Sequence, residues 1–307
     1  MLTISREKII KMVPMPDAIA AMRQAFSDFN NGAFVLPDRI SMEINNKDAT
    51  VLVMPAYRKM GKYFTTKVVT VFQNITAGRS STISSSVSVF NSSNGDLVAT
   101  MDGRAITSLR TGAATGLATT LLAKENVEVA AIFGTGVQAY TQVEAIISSR
   151  PINKIFVFGK TLDSIEKFSS HISDMYSIDV CLGTLKDLGT VDIICTATPS
   201  VKSLFEHKYL KPGVHINAIG SFKPFMREIP NDTIAGSKVV VDSLSACKKE
   251  AGDLILANEE TDWSFDNIVS ELGQVANNDI SVKKSESDNT IFKSVGLGFQ
   301  DLVISEL

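Results

Sequence analysis

The chain has 307 residues, enough for two domains of ordinary size, with 30 basic and 33 acidic side chains and a formal net charge of −3. No basic cluster offers a nucleic-acid surface, and no apolar run approaches the roughly 18 residues that cross a bilayer, so neither nucleic acid nor membrane is an expected partner. Met12, Pro14, Pro16 and Asp17 interrupt any signal-peptide pattern, while Cys181, Cys195 and Cys247 show no pairing or CxxC spacing, so a cytoplasmic protein with reduced thiols is expected.

From Met15 to Asn30 the apolar residues Ile19, Met22, Phe26 and Phe29 recur at helical intervals, and Asn31-Gly32 supplies a C-terminal stop. Strand-like runs follow at Ile40 to Ile44, Thr50 to Met54 and Tyr63 to Phe72, separated by turn-forming stretches such as Asn45-Asn46-Lys47-Asp48. The serine-rich piece Arg79 to Phe90 alternates Ile83, Val87 and Val89 with small polar residues, which predicts a strand returning through an Asn91 to Asp96 turn into Leu97 to Met101. A small-residue helix is expected over Ile106 to Leu122.

The next stretch is the most informative. Val127 to Phe133 reads as a buried strand, and Gly134-Thr135-Gly136-Val137-Gln138-Ala139 as a glycine turn opening a helix whose apolar positions are Val137, Tyr140, Val143, Ile146 and Ile147. In that pattern Gly134 makes the bend, Gly136 leaves room for a pyrophosphate, and Ala139 lets helix and strand approach. The helix-start amides would then face the anion.

A second strand, Lys154 to Phe158, ends where an acidic side chain would hold the ribose 2′-hydroxyl of NAD. Gly159-Lys160-Thr161 stands there instead, and a cation with a hydroxyl suits a 2′-phosphate, which favours NADP(H) over NAD(H). Further strands near 178–181, 191–195, 214–219 and 238–242 predict a Rossmann-type doubly wound parallel sheet. Thr196 and Thr198, after the Ile193-Ile194-Cys195 strand, are candidate cofactor contacts. The fold class expected is therefore α/β, with a mixed α+β domain ahead of the parallel-sheet domain. The final segment, Thr290 to Ile304, places Ile291, Val295, Phe299 and Leu302 at helical spacing.

His171, His207 and His215 lie apart with no carboxylate at ligand spacing, so no metal is expected. His215, inside an apolar run, suits a hydrogen-bonded core or cofactor-edge role better than catalysis. Lys67 stands mid-strand in an apolar setting, where an inward side chain would be partly desolvated and able to pass a proton.

Taken in order, Pro37-Asp38-Arg39, Met54-Pro55-Ala56, Lys67-Val68-Val69-Thr70, Gly95-Asp96-Leu97-Val98-Ala99, Thr107-Ser108-Leu109-Arg110-Thr111, Gly134-Thr135-Gly136-Val137-Gln138 and Phe292-Lys293-Ser294-Val295-Gly296-Leu297 resemble the ornithine cyclodeaminase and mu-crystallin family over nearly the whole chain. The resemblance implies a homodimer. It also implies a substrate-binding and dimerisation domain over residues 1–122, joined by a C-terminal helix over 289–307, and a nicotinamide-binding domain over residues 123–288.

Positions matching the family's substrate contacts are Arg39, Lys67 and Arg110, with Thr82 as a further carry-over. Guanidinium groups clamp a carboxylate bidentately, as an amino-acid-like or imino-acid-like ligand requires. Arg39 could instead be solvated, and Arg110 could pair with an acid such as Asp102.

One departure is informative. Where ornithine-deaminating members carry an aspartate, this chain has Phe222, and Glu228 matches a different family position. The Gly220 to Glu228 stretch instead resembles members that reduce cyclic imino acids such as Δ1-pyrroline-2-carboxylate. The resemblance thus implies an NAD(P)H-dependent ketimine reductase forming L-proline or pipecolate. The alternatives it leaves open are an ornithine cyclodeaminase, an amino-acid dehydrogenase, and a mu-crystallin-like binder of small ligands with NADPH.

Overall fold

The computed structural model of the protein describes residues 1–44, 49–72, 83–282 and 285–307. The expected turn at Asn45 to Asp48, the start of the serine-rich strand and Thr82 lie outside the described residues. The chain divides into two compact units, one formed by Met1–Arg110 with Leu297–Leu307, the other by Thr111–Gly296.

In the first unit the strands are β1 (Leu2–Ile4), β2 (Phe34–Val35), β3 (Ile40–Ile44), β4 (Ala49–Arg58), β5 (Tyr63–Phe72), β6 (Ile83–Asn91) and β7 (Leu97–Asp102). They form a mixed sheet in the order β1-β7-β6-β5-β4-β2, with β3 also on β4; β1 runs parallel to β7 and the other pairs are antiparallel. Helices α1 (Arg6–Met12) and α2 (Met15–Asn30) precede most of the sheet, and α3 (Gly103–Leu122) begins where β7 ends. The helix expected at Ile106 starts three residues earlier, because the Asp102 carboxylate accepts from the Ala105 amide and caps its first turn.

Paired residues in an antiparallel sheet share a face, so Met54, Lys67 and Val87 point one way, while Val53 and Ile40 point the other. Against the Lys67 face lies the last helix of the chain, whose Phe299 ring is held by Phe26 (5.1 Å, edge-on), Phe29 (4.9 Å, stacked) and Phe34 (5.1 Å). Such aromatic contacts bury large apolar area and fix the helix's rotation.

The second unit contains β8 (Val129–Phe133), β9 (Lys154–Phe158), β10 (Asp179–Leu182), β11 (Ile193–Thr196), β12 (His215–Ala218), β13 (Ser237–Val241), β14 (Ser270–Glu271) and β15 (Asn289–Lys293). They run in the order β10-β9-β8-β11-β12-β15-β13-β14, every pair parallel. Between them come α4 (Val137–Ser149), α5 (Leu162–Tyr176), α6 (Asn231–Ala235), α7 (Leu244–Glu250), α8 (Gly252–Glu260) and α9 (Leu272–Ala276). Ala130, Ile132, Ile155 and Val157 pack with Val143, Ile146 and Phe168 on one face. Ala131, Phe133, Ile216 and Val239 pack with Cys247 and Leu254 on the other. Strand order reverses between β8 and β11, and ligands of such sheets bind at that switch point, outside the carboxyl ends of the strands.

The helix expected over residues 289–307 is corrected. Asn289–Lys293 is β15, buried between β12 and β13, and α10 covers only Gly298–Glu306. A strand covered on both faces is apolar throughout and shows no period of two, so Ile291 and Val295 mimic a helical spacing. The helix cannot run through: one oxygen of Asp242 accepts from Ser294 Oγ and from the Val295 and Gly296 amides, which draws that segment out of any helical register. His215 lies in the core, its two ring nitrogens bonded to Thr290 and Asn217.

Candidate functional site

In the first unit β5, α3 and α10 bring together side chains that are far apart in sequence. Lys67, only 2% exposed, places its Nζ 2.7 Å from Asp301 Oδ2 and 3.4 Å from the Thr107 hydroxyl. Arg110 sets Nε 3.4 Å from Asp301 Oδ1 and donates from Nη1 to Gln300 Oε1 at 3.1 Å. Arg110 thus pairs with Asp301 and not with Asp102, which is committed to the start of α3.

The Asp301 contacts are ion pairs. Asp301 and Arg110 are both buried. Arg39 is half-buried, and its charge reaches Lys67.

The Lys67 ammonium is therefore perturbed. Burial pulls its pKa down from 10.5 to about 8; Asp301 opposes that shift, and the positive charges of Arg110 and Arg39 add to it. Lys67 is thus charged at neutral pH but far readier than a surface lysine to release a proton.

In the second unit β8 ends at Phe133, and Gly134 takes φ +111°, a conformation that side chains disfavour; a Cβ there would also lie 2.6 Å from the Ala197 carbonyl. At Gly136, by contrast, a Cβ would meet nothing within 4 Å, which leaves open space at the start of α4. Ala139 is fully buried beneath, Thr135 is half-buried, and Val137 is 53% exposed. The Gln138 side-chain oxygen is enclosed without a hydrogen-bond partner among the described residues.

Two neighbouring loops complete this corner. Thr198 Cγ2 would lie 3.4 Å from a Cβ at Gly134, and the Thr135 methyl 3.0 Å from one at Gly159. Beyond Gly159, Lys160 is exposed, and Thr161 caps α5 by accepting from the Ser164 amide at 3.3 Å.

Beneath the strand ends sits Glu228. One of its oxygens accepts from the Thr196 hydroxyl and the Gly220 amide, the other from the Thr198 amide and hydroxyl, at 2.7 to 2.8 Å. Thr196 is fully buried by this arrangement, so it braces the strand end. Burial and the nearby Asp253 raise the Glu228 carboxyl above its ordinary range, against the pull of Lys293 and the Thr198 hydrogen bonds. Asp253 accepts from the Glu228 and Ile229 amides and pairs with Lys293 at 3.1 Å. Phe222 is 42% exposed.

Sequence reasoning missed Asp301, Gln300 and Thr107. The available signal was an aspartate inside the otherwise apolar run Phe299, Leu302, Val303 and Ile304, since a charge is seldom buried without a partner.

A parallel sheet with a glycine turn at its switch point, in a chain whose mixed-sheet unit holds paired buried cations, defines a Rossmann-type α/β protein. The model of the Ornithine cyclodeaminase/mu-crystallin family matches residues 2–307, and the chain belongs to that family. It is 34% identical over 310 residues to a Delta(1)-pyrroline-2-carboxylate reductase of Bacillus cereus, covering 100% of this chain and 95% of that protein. To the ketimine reductase mu-crystallin of Mus musculus it is 31% identical over 303 residues, covering 98% and 92%. A solved structure of Thermococcus litoralis Delta(1)-pyrroline-2-carboxylate reductase in complex with NADH and L-proline matches with a TM-score of 0.94 at 30% identity, covering 100% of this chain and 95% of that one.

Proposed function

We propose that the protein is an oxidoreductase that reduces the C=N bond of a cyclic imino acid with NAD(P)H, forming L-proline from Δ1-pyrroline-2-carboxylate or pipecolate from the six-membered homologue. The observation that carries this reading is that Lys67 and Arg110 share one buried carboxylate, Asp301. Among the described residues the cluster keeps a surplus positive charge, which a carboxylate ligand would neutralise.

Arg110 and Arg39 hold that carboxylate, and Thr82 stands as a further substrate contact. Lys67 delivers a proton to the imine nitrogen, acting as general acid from a pKa near working pH. A nicotinamide held by the second unit would supply the hydride that the imine carbon accepts. Most of what remains for the protein is orientation, which can supply a large share of the barrier reduction.

The residues of the second unit fit a dinucleotide. Open space at Gly136 and the free start of α4 suit its pyrophosphate, with Thr135, Val137 and Gln138 lining the turn and Thr198 at the nicotinamide end. Lys160 and Thr161, where an acid would mark NAD, support NADP(H) as the preferred form.

We infer a cytoplasmic homodimer joined through the first unit. The sheet face opposite Lys67 carries Ile40 and Met42, 61% and 51% exposed, beside Val51 and Val53, and large exposed apolar patches mark association surfaces. Among the described residues no helix is long and apolar enough to cross a membrane.

The test is nicotinamide absorbance while Δ1-pyrroline-2-carboxylate, Δ1-piperideine-2-carboxylate, ornithine and alanine are offered in turn. Cofactor oxidation with either imino acid is expected. Ammonia released from ornithine without added cofactor would point to the lyase, cofactor reduction with alanine to a dehydrogenase, and no turnover at all to a ligand-binding role.

A further inference from the structure

Asp301 has no role in the chemistry described so far, yet it touches both cations of the site. We propose that Asp301 is a positioning residue that keeps Lys67 protonated and aims Lys67 and Arg110 at the substrate. The proposal rests on the imino-acid reductase reading for the identity of that substrate, but not for the interaction between Asp301 and Lys67.

The geometry is specific. Phe299 is locked among Phe26, Phe29 and Phe34, so α10 cannot rotate, and the residues that follow on its first turn are carried to fixed places. Gln300 Oε1 accepts from the Leu297 amide and from Arg110, and Asp301 spans Lys67 and Arg110 with a different oxygen on each. A carboxylate 1% exposed would not survive in that position uncompensated, and two cations crowded together would repel without it.

Among the described residues the charged groups facing Lys67 are Asp301 from α10, Arg110 from α3 and Arg39 from the segment before β3, with the Thr107 hydroxyl as the neutral neighbour. Of these only Asp301 favours the ammonium. Burial and both arginines favour the free amine, so without Asp301 Lys67 would lose its proton at a lower pH. The short ion pair fits a group whose task is electrostatic.

The test compares Asp301→Asn with Asp301→Glu in the full chain. With ε-carbon-labelled lysine, the Lys67 resonance, assigned through Lys67→Arg, gives its titration midpoint without substrate. In Asp301→Asn that midpoint should fall by about 1 to 3 units, and the alkaline limb of kcat/KM for Δ1-pyrroline-2-carboxylate should fall with it. Asp301→Glu keeps the charge, so its limb should stay within about half a unit of the parent while kcat drops from altered geometry.

A purely structural role would lower activity in both variants and leave the limb in place, which overturns the proposal. A check free of variants is the Asp301 carboxyl carbon in the parent protein, which should shift at the Lys67 midpoint; an unmoved resonance there also overturns it. If the parent reduces no imino acid but the midpoint moves in Asp301→Asn, the proposed substrate fails and the pairing stands. If the parent is active and the midpoint is unchanged, the pairing fails and the substrate stands.

Discussion

The amide and the hydroxyl of Thr198 both donate to the same oxygen of Glu228, at 2.7 and 2.8 Å. Glu228 thereby ties the loop after β11 to the end of β12, since its other oxygen takes the Gly220 amide. Glu228→Gln turns one acceptor into a donor facing a backbone N–H, so one buried group is left unsatisfied at a cost of about 1–3 kcal/mol. Denaturant unfolding should show that loss, and calorimetry should show weaker NADP(H) binding as the Thr198 loop loosens. Because the folded carboxyl is raised, the folded state holds a proton that the unfolded chain has released. Parent stability should therefore fall as pH rises above about 4.5, and Glu228→Gln should lack that slope. Equal slopes in the two proteins would show that Glu228 does not titrate differently on folding.

Lys67 is the proposed proton donor, and its displaced pKa sets a pH signature. The charged form is the acid, so kcat/KM with an imino acid should be level below about pH 8 and fall tenfold per unit above it. In Lys67→Met turnover should drop by about 10²- to 10⁴-fold, that limb should vanish, and cofactor affinity should change little. A variant with parental turnover would remove Lys67 from the chemistry.

Two glycines of one turn separate folding from binding. At Gly134 the positive φ and the Ala197 carbonyl both oppose a side chain, so Gly134→Ala should destabilise the protein by about 1–3 kcal/mol. At Gly136 nothing lies within 4 Å of a Cβ and the backbone is extended, so Gly136→Val should cost less than about 1 kcal/mol, the loss of a favourable cap. The same valine would stand in the proposed pyrophosphate site, so dinucleotide affinity should fall by about tenfold or more. Unimpaired binding by Gly136→Val would place the cofactor elsewhere.

The parallel-sheet unit is legible because its signals are local: an apolar strand, a glycine turn and a helix follow one another in sequence, and Gly134, Gly136 and Ala139 take the places such a turn requires. Lys67 reads as buried because its strand is apolar on both sides. Asp301 cannot be joined to it from sequence, since 234 positions separate them and the packing of Phe299 on α2 and β2 brings α10 onto β5. The partners of Glu228 are hidden for a similar reason: its four donors come from the ends of two other strands. The strand at Asn289–Lys293 passes for a helix because a fully buried strand and a buried helix are alike in composition.

The proposed preference between dinucleotides rests on Lys160, which is exposed beside the Thr161 cap of α5. A cation there is of little use to a bare ribose but pairs with a 2′-phosphate, and an exposed pair of this kind is worth about 1 kcal/mol or less in salt. Lys160→Ala should therefore weaken NADP(H) by about three- to fivefold and leave NAD(H) nearly unchanged. Lys160→Asp, which restores an acid near the ribose, should invert the preference, since it repels the phosphate and offers an acceptor to the 2′-hydroxyl. Equilibrium titration of all three proteins with both dinucleotides reads this directly. Tighter NAD than NADP in the parent, or equal losses for the two in Lys160→Ala, would refute an assignment of the 2′-phosphate to this corner.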